Sequence, residues 1–423
     1  MKSYKILRIA GLHYPAAIKS WLQKTPDFYN SSYDKMLKQF FNSNIMYSDG
    51  FSRSFRKLGQ EAYEIIADFD IVQKQWAREN GIKFNSGNWM TNILMAQISK
   101  IKPEVIYFQG TEWCVPGHFF PERAFDNLIK ILKETYPFIK KVLIFSGYPS
   151  GLERIKGADI FFSSPPSILD NYKKQGLNPI LLYHSFDNAI LSKLDGSTKK
   201  YGFTFTGMSR APESRYWALR ELMDKTNLNA WIYDPPKIIG KNQTFINKSK
   251  YYMKLLIKYF LGLVNPNVLN KYLDKYRNSN YLLKKLRNTI VEKQTIHSMY
   301  PEKCHKPIMG IDMYNLLHQS KLTFNKHTDQ AWGCVGNMRM FEATGVGTCL
   351  VTDTGYNMRD IYEPDKEVVT YSSVDEAVEK VNYLLDHPDE AKQIAKAGQA
   401  RTLKDHTIMN RCQQIDEVIQ NIL

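Results

Sequence analysis

Short apolar runs recur through the first half of the chain, each ending in glycine, serine or proline. They are KILRIAG (5–11), EVIYFQG (104–110), KVLIFSG (141–147), ADIFFSSP (158–165) and PILLYHS (179–185). Between them lie segments whose apolar residues return every three or four positions, such as NWMTNILMAQISKI (88–101) and AFDNLIKILKETY (124–136). Apolar runs of this length, bounded by turn residues and alternating with helical spacing, predict buried parallel strands joined by crossover helices. A second series follows: YGFTFTG (201–207), NAWIYD (229–234), KLTFNKH (321–327), GTCLVTD (347–353) and EVVTYSS (367–373). The polar stretch 185–200, with its Gly-Ser turn, separates the two and supplies a boundary. The expected fold class is α/β, with two Rossmann-like domains at 1–190 and 191–423. Helical signals close the chain: a Ser373/Glu376 capping box, Pro388 in a first turn, and one face carrying Ile408, Cys412, Ile415, Ile419 and Ile422. That last apolar face is available to pack back on the amino-terminal domain.

At 423 residues, with 43% hydrophobic and 13% aromatic content, the chain is long enough for two globular domains. No apolar tract reaches the roughly 18 residues needed to span a bilayer, and the amino terminus reads as a first strand in place of a signal peptide. Five scattered cysteines suit a reducing compartment. The expected location is the cytoplasm, with a peripheral position on the inner membrane face as a variant of it. The formal charge of +15 is concentrated: 237–306 carries fifteen lysines and arginines against three acids, leaving +3 for the rest. Within it, 251–264 and 269–290 interleave Tyr and Leu with Lys and Arg, predicting two amphipathic basic helices in an insertion at about 241–300. Such helices suit an anionic membrane surface, a polyanionic acceptor, or packing on the second domain; nucleic acid suits them less.

The stretch NMRMFEATGVGTCLVTDTG (337–355) carries the chemistry. Asn337 is a good N-cap and Gly345 suits a left-handed C-terminal cap. The helix between them starts after a glycine-containing loop, so free N–H groups at Gly336 and Asn337, with the helix dipole, are able to cradle a diphosphate. Arg339 and Glu342, three apart, are neighbours that could face one ligand, a cation for phosphate and a carboxylate for hydroxyls. The plain alternative is an exposed ion pair before a buried strand.

Several stretches resemble the CgeB-like glycosyltransferases, whose carboxyl-terminal region belongs to the group 1 class with the GT-B fold. They include IVQKQWARENG (71–81), ADIFFSSPPSILDNYKKQG (158–176), IDMYNLLHQSKLTFNKHTD (311–329), NMRMFEATGVGTCLVTD (337–353) and AKAGQARTLKDHT (395–407). The resemblance implies two Rossmann-like domains facing a cleft, the second holding a nucleotide sugar and the first the acceptor, which the sequence leaves open among a glycan, a lipid-linked sugar, a protein and a small metabolite. By that resemblance Glu342 binds the ribose of the donor, and Asn325, His327, Asn337, Arg339, Thr344 and Gly345 belong to the same site. Many retaining relatives carry a second glutamate eight positions upstream; Cys334 stands there, which leaves the sugar and the stereochemical outcome open.

Glycosyl transfer from a nucleotide sugar must stabilise a leaving diphosphate, through a metal held by a D-x-D motif or through protein cations. The single D-x-D, Asp68-Phe69-Asp70, reads as structural. Protein groups are the expected stabilisers: the helix start at Gly336 and Asn337, with Arg339, Arg210, Arg215 or Lys321. No metal or other cofactor is expected. His327 is a candidate acid/base or hydroxyl ligand, and His13 and Glu112, each after a first-domain strand, are candidate bases. A binding protein without activity and a nucleotide-sugar epimerase are the competing readings.

Overall fold

The computed structural model describes residues 2–110, 126–148, 155–196, 198–209, 213–232 and 295–423. Met1–Tyr233 and Glu302–Leu423 form one compact unit; Asp234–Pro301 forms another, and the predicted basic helices there lie outside the described residues.

Twelve described strands build two sheets, every pairing parallel. The first joins β1 (Lys5–Ala10), β2 (Glu61–Ile66), β3 (Val105–Gln109), β4 (Lys141–Ser146), β5 (Ile160–Ser163) and β6 (Ile180–Leu181) in the order β2-β1-β3-β4-β5-β6. The second joins β7 (Tyr201–Gly207), β8 (Leu228–Ile232), β9 (Cys304–His305), β10 (Ser320–Asn325), β11 (Cys349–Asp353) and β12 (Val369–Tyr371) in the order β12-β11-β10-β7-β8-β9. Each order reverses direction once. The reversal falls between β1 and β3 in the first sheet and between β7 and β10 in the second, and open α/β sheets bind ligands beyond the strand carboxyl ends at such points.

Apolar strands covered on both faces explain the continuous hydrophobic runs. Ile9, Ile106, Phe108, Val142 and Ile144 are fully buried in one first-half core and Leu350, Phe341 and Val346 in the second-half core. Each such side chain contributes about 1.5–3 kcal/mol. β2 is the strand least visible in the sequence, because Glu64 interrupts its apolar pattern. Glu64 is buried there against the equally buried Arg8, and it also accepts the Ser52 N–H at 2.8 Å.

The closing helix, Ile408–Ile422, buries Cys412, Ile415 and Ile419 against the first sheet's other core, beside Tyr4, Phe51 and Phe55. The chain therefore passes from the second-half sheet back to the first. The return is tied at one place: Phe186 N–H donates to His406 O and Ile408 N–H to Phe186 O, both at 2.9 Å.

Candidate functional site

The second sheet's reversal point lies between β7 and β10, and the side chains gathered there come from five segments. His327, just beyond β10, is 6% exposed. Its Nδ1 lies 2.7 Å from Asp353 Oδ1, at the end of β11, while its Nε2 accepts the N–H groups of Gly336 (3.0 Å) and Asn337 (3.3 Å). Two donors aimed at Nε2 make it the unprotonated nitrogen, so the ring is neutral and its Nδ1–H is donated to Asp353. Burial alone would push the Asp353 carboxyl up, but the hydrogen bond from His327 and the nearby Lys326 hold it below the ordinary carboxylate range.

The helix that starts here, Met338–Gly345, is capped by Asn337, whose Oδ1 accepts the Met340 N–H at 3.3 Å. Asn337 and Asn325 exchange side-chain hydrogen bonds at 2.9 and 3.2 Å, and Asn325 also donates to Thr352 at 2.9 Å. The cap is thereby fixed to the ends of β10 and β11. One turn further, Arg339 Nη1 meets Glu342 Oε2 at 2.8 Å, and Glu342 Oε1 faces the Tyr314 hydroxyl at 3.4 Å. Burial, with Glu342 beside it, raises the Tyr314 phenol well above its usual value, so it stays a donor.

Arg215, in the helix Glu213–Lys225 after β7, spans the reversal point: its Nη2 donates to Lys326 O at 2.6 Å and its Nη1 to Met208 O at 3.3 Å. Burial lowers its guanidinium pKa, against the pull of Asp353.

Four of the sequence-based expectations change. The Gly336 and Asn337 amides, read as a vacant cradle, are engaged by His327. Gly345 is not a left-handed cap: it is the last helical residue, the positive φ belongs to Gly347 (+77°), and a Cβ on Gly345 would collide with the Phe186 ring. Thr344 bonds Met340 O (2.6 Å), Tyr362 (2.8 Å) and Thr402 (2.7 Å) in an interior hydroxyl chain, away from solvent. Lys321 is exposed near the amino end of β10, about 13 Å of strand from the carboxyl edge, so it does not join the group. His13 is exposed in the loop after β1, at the first sheet's reversal point, with its N–H on Met46 Sδ at 3.3 Å. Glu112, after β3, and Arg210, after β7, lie outside the described residues. In the D-x-D, Asp68 accepts the Leu12 N–H at 2.9 Å and Asp70 pairs with Lys74 at 3.2 Å. Among the described residues, no group of three or more His, Cys, Asp or Glu is placed to hold a metal ion.

Two residues were not singled out from sequence. Asp353 fixes the His327 tautomer, and Asn357 clamps the glycine loop, accepting Val335 N–H at 2.8 Å and donating to Val335 O and the Tyr183 hydroxyl, each at 2.9 Å. Their signal is register: β10 and β11 pair Asn325 with Thr352, which sets Asp353 beside His327.

A glycosyl transferase-like family model matches residues 277–417, one third of the chain. No curated protein sequence matches. Among solved structures, a glycosyltransferase from Rickettsia africae is similar at 11% identity and TM-score 0.51, covering 100% of this chain and 99% of that one. AviGT4, a glycosyltransferase involved in avilamycin A biosynthesis, is similar at 11% identity and TM-score 0.51, covering 99% and 98%. A sucrose-phosphate synthase from Thermosynechococcus elongatus is similar at 8% identity and TM-score 0.50, covering 99% of each chain. At these identities the likeness is one of fold. The chain has the GT-B glycosyltransferase fold, two parallel-sheet α/β halves, and no described helix is long and apolar enough to cross a membrane.

Proposed function

We propose that the protein is a glycosyltransferase of the CgeB-like group that moves a hexose from a nucleoside-diphosphate sugar to an acceptor without a metal ion. One observation carries this reading: a capped helix start and a carboxylate, both inside the segment matched by the glycosyl transferase-like model, converge with Arg215 at the reversal point of the second sheet. Glu342, held by Arg339 and Tyr314, is the ribose-hydroxyl acceptor. Arg339 and Arg215 supply positive charge for the leaving diphosphate, each charge-assisted contact contributing roughly 1.5–3 kcal/mol. With Gly336 and Asn337 engaged, the helix-start donors left for phosphate are the N–H groups of Met338 and Arg339, neither of which has a hydrogen-bond partner among the described residues.

His327 has both ring nitrogens occupied, so its part is to hold the glycine loop in register with β11, and proton transfer falls to the acceptor side. His13 and Glu112 follow the two strands that flank the first sheet's reversal point and are the candidates for it. The basic segment 241–300 would bring the enzyme to an anionic membrane, and sedimentation with phosphatidylserine vesicles but not phosphatidylcholine vesicles checks this.

The decisive experiment is calorimetric titration with UDP, GDP, ADP and dTDP, followed by donor turnover in EDTA. Binding of one nucleotide with turnover unaffected by EDTA is expected. No binding by any of the four sets the proposal aside, and activity lost in EDTA and restored by manganese sets aside its metal-free form.

A further inference from the structure

Trp332 has φ +44° and ψ +47°, a left-handed backbone that a bulky L-residue adopts only where its surroundings impose it. Those surroundings are visible. Cys334 N–H donates to Ala331 O at 2.9 Å, and the Ser167 hydroxyl, from the first half of the chain, donates to the same oxygen at 2.7 Å. The turn lies where the two halves meet. It leaves Trp332 49% exposed, and beside it Tyr356 is 90% exposed. Tyr356 belongs to the same surface: its N–H donates to Gly333 O at 3.0 Å, and a Cβ on Gly333 would come within 2.6 Å of its ring. Two large aromatic side chains thus stand in solvent on one pair of packed loops, where their faces are open to a ligand.

Position selects the ligand. Glu342 lies about 7 Å along the helix axis from Asn337, the glycine loop lies before Asn337, and Trp332 opens that loop. A nucleoside-diphosphate sugar with its ribose at Glu342 and its phosphates at the helix start extends its sugar to the loop 333–336. The next group in line, the acceptor, then meets Trp332 and Tyr356. Pyranose rings present C–H faces of partial positive charge, complementary to the negative face of an aromatic ring, and Trp and Tyr offer wide, rigid area at low entropic cost. We propose that Trp332 and Tyr356 form a stacking platform for a sugar ring of a carbohydrate acceptor, an assignment that rests on the nucleotide-sugar reading above.

The test uses the full chain, Trp332→Asn, whose side chain tolerates the left-handed backbone, and Tyr356→Ala at a solvent position. Each is titrated with cellopentaose, maltopentaose and chitopentaose by calorimetry and tryptophan emission, and separately with the nucleoside diphosphate that the wild type binds. The expected result is that a pentasaccharide binds the wild type and both variants weaken it about tenfold or more, with nucleotide affinity unchanged. The proposal is overturned if no pentasaccharide binds, if both variants bind it as the wild type does, or if only nucleotide affinity falls. A wild type that binds pentasaccharide but no nucleotide leaves the platform standing and removes the donor reading instead.

Discussion

Glu342 and Arg339 were legible as a pair from their spacing, but their partners were not. The structure makes Glu342 a buried carboxylate with an arginine on one oxygen and a tyrosine hydroxyl near the other. Truncation would strand Arg339, so the informative change is Glu342→Gln, which keeps shape and one acceptor oxygen. It should weaken nucleoside-diphosphate binding by about 1.5–3 kcal/mol, and calorimetry showing equal affinities would remove Glu342 from the site. Gly345 teaches the complementary lesson. A glycine ending a helix signals a left-handed cap or a close neighbour, and one sequence does not separate them; here the neighbour is Phe186. Alanine is the better helix former by about 1 kcal/mol, yet Gly345→Ala should destabilise by about 1–3 kcal/mol through overpacking. Urea denaturation giving equal or higher stability would contradict the contact.

The elements follow the apolar pattern where strands are buried on both faces, as β1, β3, β4 and β10 are. The pattern was obscured in β2, because its buried Glu64 reads as a solvent-facing residue until Arg8 is known to lie opposite, and in β9, which is only two residues long. The helix Met338–Gly345 was readable at its start because a cap is local chemistry, whereas the reciprocal Asn325–Asn337 pair depends on sheet geometry. This element has a sharp test in two variants. Asn337→Ala should cost about 1 kcal/mol or somewhat more in unfolding free energy, from the lost cap and the widowed Asn325. Asn337→Asp keeps the cap acceptor and favours the helix dipole, so it should recover much of that stability while weakening nucleotide binding through repulsion of the diphosphate. Parallel denaturation and calorimetry check both halves; an aspartate variant that binds nucleotide as well as the wild type would place the phosphates elsewhere.

Across the whole molecule, the sequence announced two series of strands and an apolar face on the last helix that was available to pack back on the amino-terminal domain; an amphipathic face carries no address, so it is the packing beside Tyr4, Phe51 and Phe55 that assigns it. The crossing back is secured by buried groups. His406 sits between Arg411 Nη2 (2.7 Å) and Ile361 O (3.0 Å), and Arg411 Nε reaches the Tyr183 carbonyl at 2.9 Å. Burial, with Arg411 alongside, pushes the His406 pKa from 6.5 down to about 4, against the opposing pull of the Ile361 carbonyl. The unfolded chain therefore binds a proton that the folded one refuses. Stability is fully present above pH 6.5 and is lost as pH falls toward 4, by an amount on the order of 3 kcal/mol at most. Thermal melts between about pH 4 and 7 should show this slope added to that of His184, whose imidazole burial likewise pushes down to about 4, so His406→Gln should make it shallower without flattening it; an unchanged slope would assign the effect to other groups.

Because the closing helix roofs Tyr4, Phe51 and Phe55, the first sheet emerges from the ribosome long before its own lid. Its oily flank stays uncovered while all of the second sheet is being translated, which lengthens the interval in which that flank is open to clumping with another chain.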